Sequence, residues 1–252
     1  MTAWIEGTVV SQTRWTDRLL SLHVQTPDDA PALKFEAGQF AKLALEVEGE
    51  RIARPYSFVN APGAGPHEFY YAVVPEGPLT PHLAALGPGD RVFLAPGAAG
   101  FLVLSEVPDA ENLWLLATGT GVGPFLSILR TETQWRRFRR VVLVHAARHA
   151  GELAYRDVIE GIAAAHPAQF ASLRIASRDA PAGGVLQGRI PALIADGTLE
   201  ARAGCALSAG TSHAMLCGNP AMVKDAVATL GERGMKKHRR RAPGHLTVEN
   251  YW

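Results

Sequence analysis

Leu113-Trp114-Leu115-Leu116-Ala117 followed by Thr118-Gly119-Thr120-Gly121-Val122-Gly123-Pro124 is the stretch on which the fold turns. The first five residues form an unbroken apolar run, as expected of a strand buried on both faces of a parallel sheet. The glycines then fall at every second position, and an apolar-periodic segment, Phe125 to Leu129, opens a helix. A glycine-rich turn between strand and helix brings backbone amides close to a pyrophosphate, although helix–strand turns also use glycine for steric reasons alone.

Downstream the alternation continues. Val141-Val142-Leu143-Val144-His145 reads as a second buried strand, and a helix is expected around Tyr155 to Ala165. A strand near Leu173-Arg174-Ile175, a helix around Ile190 to Ala195, the strand His213 to Gly218 and a helix from Pro220 to Arg233 follow. Alternating strand and helix implies a parallel sheet with helices on both faces. Upstream the pattern is different. Thr8-Val9-Val10, Leu20 to Val24, Phe40 to Leu45, Arg51 to Val59, Phe69 to Val74 and Arg91 to Leu94 are short strands separated by turn residues. They suggest a small antiparallel barrel. Leu79 to Leu86 reads as one short helix with Thr80 as its N-cap, and Gly87-Pro88-Gly89-Asp90 stops it. Ser105 to Asn112 is the expected linker.

The chain has 252 residues, 47% hydrophobic and 19% charged, enough for two globular domains with a core in each. A formal net charge of +1 gives no global attraction to nucleic acid. No apolar run reaches the roughly 18 to 20 residues of a membrane span. No basic start precedes an apolar core, so no secretory signal is expected. Cys205 and Cys217 offer neither a metal-ligand spacing nor a disulfide framework, and a reducing cytoplasm is the expected home.

Within the barrel region, Arg54-Pro55-Tyr56-Ser57 joins a guanidinium fork suited to phosphate, a stiff proline, a flat ring and a hydroxyl. Strand alternation puts Arg54 and Tyr56 on one face and Ser57 on the other. An edge strand with a surface arginine is the plainer account. Three arginines, Arg148, Arg178 and Arg189, each follow a predicted strand, at the sheet end where open α/β sheets bind ligands.

Arg54-x-Tyr56-Ser57 resembles the flavin-binding signature of the ferredoxin–NADP reductase superfamily, and the chain from Trp4 to Trp252 is similar to the bacterial ferredoxin/flavodoxin–NADP reductases. Phe35-Glu36-Ala37-Gly38-Gln39-Phe40 resembles that family's lead into the flavin strand, with Ala37 in place of the usual proline. The resemblance implies an N-terminal six-stranded antiparallel flavin-binding barrel over 1–103 and a Rossmann-like NADP domain over 109–252 with a C-terminal lid. It implies FAD contacts from Arg54, Pro55, Tyr56, Ser57, Tyr70, Pro78, Leu79, Thr80 and Thr120, with Trp252, joined by Tyr251, covering the flavin face opposite Tyr56. For NADP it implies Gly119, Gly121, Gly218, Asn219 and Pro220. Ala147 and Arg148 of "HAAR", Ser177 and Arg178 of "SR", and Arg189 of "GRI" are similar to the adenosine 2′-phosphate pocket. Two charge-assisted contacts there would be worth about 3–6 kcal/mol, a preference for NADPH of about 10²- to 10⁴-fold before salt screening.

The resemblance further implies catalytic roles for Ser57 at flavin N5, Cys217 beside the nicotinamide, Glu249 in proton relay or partner contact, and Trp252 as the displaceable lid. Without it, Cys217 is a small buried hydrophobe and the terminal aromatic pair a core plug. No metal is implied. Lys236, Lys237, Arg239, Arg240 and Arg241 form a basic run that would steer an acidic ferredoxin or flavodoxin, and a monomer is expected. A solvated face is the plainer reading of that run. The implied reaction is hydride transfer between NADPH and FAD, then one-electron exchange with ferredoxin or flavodoxin. The alternatives are a reductase component of an oxygenase and a non-catalytic flavin- or nucleotide-binding module.

Overall fold

A computed structural model describes residues 4–30 and 33–250. They form two compact units, one of Met1–Val103 with Leu126–Thr131, the other of Leu104–Phe125 with Glu132–Trp252.

The first unit is built on six antiparallel strands, β1 (Ile5–Arg14), β2 (Leu19–Gln25), β3 (Phe40–Val47), β4 (Glu50–Ser57), β5 (His67–Ala72) and β6 (Arg91–Leu94), with the short helix α1 (Thr80–Ala84) between β5 and β6. Their order is β4-β3-β6-β1-β2-β5, and the sheet curls into a barrel until its two edge strands meet just past β4. There Phe58 bridges Phe69, and the Val59 amide donates to Glu68 O at 2.9 Å. Side-chain alternation drives the curl. In β1, Ile5, Gly7 and Val9 are buried while Glu6, Thr8 and Val10 face out. Leu20, Leu22, Val24, Leu43, Phe58, Phe69 and Leu94 fill the barrel, and Phe35 stacks on Phe58 with ring centroids 3.8 Å apart.

The seam is pinned from the segment Leu126–Thr131. Arg130 donates to Val59 O at 2.9 Å and to Glu68 Oε2 at 2.7 Å, and the Ser127 hydroxyl donates to Asn60 O at 2.7 Å. The helix α1 corrects one expectation. Leu79, not Thr80, occupies its N-cap, and no side chain caps it. The Thr80 hydroxyl instead accepts from Val74 N at 2.9 Å and so ties the helix start to the end of β5.

The second unit is a parallel sheet of β7 (Asn112–Thr118), β8 (Arg140–Ala147), β9 (Phe170–Ala176), β10 (Val185–Gln187), β11 (Ser212–Gly218) and β12 (Leu246–Asn250). The helices are α3 (Thr133–Arg137), α4 (Arg156–Ala165), α5 (Ile190–Ala195), α6 (Thr198–Ala203) and α7 (Pro220–Glu232), while α2 (Gly123–Leu129) is divided between the two units. The strand order β10-β9-β8-β7-β11-β12 reverses direction of growth between β7 and β11. This is the topological switch point, where such sheets hold ligands beyond the strand C-termini. The whole of β7 up to Ala117 is buried, which is why it reads as a solid apolar run.

Four elements had no clear signal, among them the five-residue α3. β10 has three residues, α6 has six, and β12 has five at the end of the described chain. The expected linker is likewise no free tether. Leu104 and Val107 are buried, and the Arg137 guanidinium donates to both their carbonyls, at 2.6 Å to Leu104 O. Among the described residues no helix is long and apolar enough to cross a membrane.

Gly38 shows how tightly the barrel's lead-in segment is built. Its φ is +103°, and a Cβ there would stand 1.9 Å from Leu102 O. Gly38→Ala is therefore expected to lower stability by about 2 kcal/mol or more, read as a lower denaturation midpoint with an unchanged m-value.

Candidate functional site

The first unit carries an aromatic plate rimmed by cations. Tyr56 packs against the barrel core from β4 and meets Tyr71 of β5 edge to face, centroids 6.0 Å apart and planes at 77°. Gln12 holds Tyr71 in place, donating to its hydroxyl at 3.1 Å and to Leu83 O at 2.9 Å. Burial pushes the Tyr56 hydroxyl up to about 12, with the Arg54 charge opposing it. Tyr71 is raised too, by burial first and by Tyr56, while Arg14 pulls it down. Both phenols are therefore neutral hydrogen-bonding rings with a cation beside each.

Arg54 is exposed, and its guanidinium donates to Ala53 O at 2.8 Å. Arg14 reaches Asp17 O at 3.4 Å. Among the described residues neither pairs with a carboxylate. The donor set fits a flavin nucleotide, with a ring for the isoalloxazine and free guanidinium forks for its phosphates. Ser57 is buried, Pro55 lies exposed between Arg54 and Tyr56, and Tyr70 is buried on β5 next to Tyr71. Pro78, Leu79 and Thr80 lie at the start of α1, with Leu79 wholly buried. Arg14, Gln12 and Tyr71 were not read as site residues from the sequence. They come from strands remote in the chain, and only the β1–β2–β5 pairing brings them together.

In the second unit the switch point is an interlock of backbone. The Thr118 hydroxyl accepts from Asn219 N at 2.8 Å, joining the ends of β7 and β11. A Cβ on Gly121 would lie 2.5 Å from Cys217 O, and one on Gly218, where φ is +130°, would lie 2.3 Å from Thr118 Oγ1. These two positions need glycine because two strand ends touch there. Asn219 caps α7, its Oδ1 accepting from Ala221 N at 2.9 Å and Met222 N at 3.3 Å, with Pro220 in the first turn. The sequence Cys-Gly-Asn-Pro is thus strand end, close approach, N-cap and helix start. Thr120 is buried within the 3-10 turn Gly119–Val122.

The three arginines are brought to adjoining strand ends. Ser177 N donates to Ala147 O at 3.0 Å and Arg178 N to Arg148 O at 2.9 Å, so the β8–β9 ladder runs on through these residues. Gly188 N reaches Ala176 O at 3.4 Å, which draws in Arg189. All three arginines are exposed, and among the described residues none is paired with a carboxylate. The nearby acids are engaged elsewhere. Asp179 accepts from Ala150 N at 2.6 Å and from His149 Nδ1 at 2.7 Å, contacts that hold its carboxyl below the usual range. Glu152 accepts from Arg148 N and His149 N. An arc of free guanidiniums fits an added phosphate.

Cys217 is fully buried and lies in register with Glu249 of the neighbouring strand. Burial pushes the Glu249 carboxyl from an ordinary 4.5 up to about 7. Tyr251 and Trp252, the expected flavin cover, lie outside the described residues. Among the described residues no cluster of side chains could hold a metal ion.

The basic run folds into a tight turn. Arg239 and Ala242 bond to each other through both backbone groups, and His245 N donates to Lys236 O at 2.7 Å. Arg240 forks onto Glu106, with Nε–Oε2 at 2.9 Å and Nη2–Oε1 at 2.5 Å. It is therefore engaged within its own unit. Lys236, Lys237, Arg239 and Arg241 are exposed.

Comparison with known proteins accords with these two halves. The oxidoreductase FAD-binding domain family matches residues 6–101, and the oxidoreductase NAD-binding domain family matches residues 115–228. The flavodoxin/ferredoxin–NADP reductase of Escherichia coli (strain K12) is 50% identical over 253 residues, covering 100% of both chains. The ferredoxin–NADP reductase of Pseudomonas aeruginosa is 33% identical over 251 residues, covering 96% of this chain and 95% of its own. A crystal structure of a ferredoxin NADP+ reductase from Neisseria gonorrhoeae, with bound FAD and NADP, superposes with a TM-score of 0.93 at 31% identity over 99% of each chain. An FAD-binding barrel joined to a nicotinamide-nucleotide domain defines a flavin-dependent oxidoreductase. The chain belongs to the flavodoxin/ferredoxin–NADP reductase family.

The Glu249 shift has a measurable consequence. Between about 4.5 and about 7 the folded chain retains a proton that the unfolded chain has released. Stability attributable to this group therefore falls as pH rises through that window. In Glu249→Gln the fall disappears, read as a flatter Tm-against-pH curve than that of the parent.

Proposed function

We propose that the reductase chemistry of this family runs here through two residue sets, one per unit. FAD, when bound, accepts a hydride from NADPH and passes electrons singly to ferredoxin or flavodoxin. Tyr56 supports the isoalloxazine, Arg54 with Arg14 holds the phosphates, and Ser57 supplies a hydrogen bond at N5. Pro55 stiffens the strand between them. Tyr70 and the α1 start at Pro78, Leu79 and Thr80 complete the flavin site, to which Thr120, Tyr251 and Trp252 are also assigned.

On the nucleotide side, Gly119 and Gly121 let the backbone approach the pyrophosphate, and Gly218, Asn219 and Pro220 border the nicotinamide beside Cys217. Hydride transfer needs alignment and not an attacking thiol, so Cys217 shapes the pocket as a small buried group. Glu249, neutral over much of the acidic range, is the nearest candidate to hold or release a proton there. Arg148, Arg178 and Arg189, with Ala147 and Ser177, take the 2′-phosphate. The observation that carries this reading is the arc of three exposed guanidiniums on adjoining strand ends, with the adjacent carboxylates bound elsewhere. An NAD site would instead offer an acid to the ribose hydroxyl.

The electron carrier is proposed to be acidic and to dock against Lys236, Lys237, Arg239 and Arg241, with Arg240 braced on Glu106 between them. A monomer with a cytoplasmic home is the simplest setting.

Three measurements test this. Anaerobic NADPH should bleach the yellow holoprotein, and Arg148→Ala with Arg178→Ala should lower kcat/KM for NADPH on the order of 10²-fold while leaving that for NADH unchanged. An equal loss with both nucleotides would reject the phosphate pocket. Lys236→Glu with Lys237→Glu should slow reduction of a ferredoxin or flavodoxin about tenfold at low salt, the deficit vanishing near about 1 M, where the Debye length is about 3 Å. A deficit that persists at high salt would reject electrostatic docking.

A further inference from the structure

His145, the last buried side chain of β8 before "AAR", has no part in the chemistry above, yet it sits beneath the glycine-rich turn. It is 1% exposed, and its Nε2 lies 3.2 Å from Gly119 O. A carbonyl only accepts, so Nε2 carries the hydrogen. Burial lowers the imidazole to about 4, which leaves it neutral at working pH.

The bond bears on the nucleotide through the geometry of one peptide. In a planar trans unit the C=O and N–H point opposite ways. A ring that captures Gly119 O thus turns the Thr120 N–H away from itself. Gly119 has φ +54°, and nothing lies within 4 Å of a Cβ placed there. Open space surrounds Gly119, and glycine adopts this left-handed conformation without strain. Thr118 and Gly121, on either side, are held by Asn219 and by the packing on Cys217. The Gly119–Thr120 peptide between them is held by the 3-10 turn Gly119–Val122 and, through Gly119 O, by His145.

We propose that His145 is a positioning residue for nucleotide binding: it locks the Gly119–Thr120 peptide so that the turn is preformed for the pyrophosphate. This rests on the assignment of the glycine-rich turn to the pyrophosphate made above. Replacement by an apolar ring removes the side-chain donor to Gly119 O and leaves the peptide held by the turn's own backbone bonds alone. The penalty then falls on ligands that use the turn and spares those held only by the arginine arc.

The test measures dissociation constants of NADP+ and of 2′-phospho-AMP, which lacks the pyrophosphate and nicotinamide, by calorimetry on the flavin-loaded protein. His145→Phe should weaken NADP+ about fivefold, as expected for the loss of one hydrogen bond to Gly119 O, and leave 2′-phospho-AMP within about twofold. His145→Gln, which keeps a donor amide, should recover most of the loss. In turnover, KM for NADPH and for NADH should rise together in His145→Phe, with kcat changed less than KM. Unaltered NADP+ affinity in His145→Phe would overturn the proposal, as would equal weakening of both ligands in the Phe and Gln variants. Arg178→Ala separates the underlying assignment: if it weakens neither ligand, the nucleotide site itself is misplaced.

Discussion

The end of β7 and the end of β11 approach so closely that no side chain fits between them. Thr118 Oγ1 receives the Asn219 amide, and the backbones at Gly121 and Gly218 lie against Cys217 O and Thr118. Everything the second unit offers a nucleotide is arranged around that contact. The strand order places it at the reversal point of the sheet, the turn after β7 and the capped start of α7 both begin there, and the arginine-bearing strand ends fan out to one side. The energetic logic is that of preorganisation. Amides aligned during folding need no ordering when an anion arrives.

The first unit solves a different problem. A curled antiparallel sheet must close its edges, and this one does so at Phe58 and Phe69, with the Glu68–Arg130 pair sealing the seam. The consequence for binding is a wall that holds Tyr56 and Tyr71 at a set angle with their phenols neutral. In the flavin site proposed above, neutral phenols neither repel a phosphate nor compete with it for the arginine.

The fold was legible because its signals are local. Solid apolar strands, spaced turns and the change of pattern near residue 112 can each be read in a short window, and so can Arg54-x-Tyr56-Ser57 and the arginines after the strands. What escaped notice depends on pairing across distance. The three residues of β10 and the six of α6 are too short to show a period. β12 gives no sign in a short window because its partner strand lies some thirty residues back in β11. Arg14 and Tyr71 gain meaning only when β1, β2 and β5 align. Thr80 looked like a cap by residue type, but Val74 claimed its hydroxyl, and Arg240 looked free until Glu106 was found beside it. Local composition says what a side chain can do, and tertiary structure decides which of those things it does.

The division between interlocked backbone and exposed arginines also bears on how such a protein changes over generations. Gly121 and Gly218 stand where any added atom collides with main chain, so drift at those positions is closed. Arg148, Arg178 and Arg189 project from strand ends with no internal partner to satisfy, and exchanging them disturbs no packing. On the assignment proposed above, a lineage is free to retune which dinucleotide it favours one surface residue at a time, while the seat for the shared part of the molecule stays as it was.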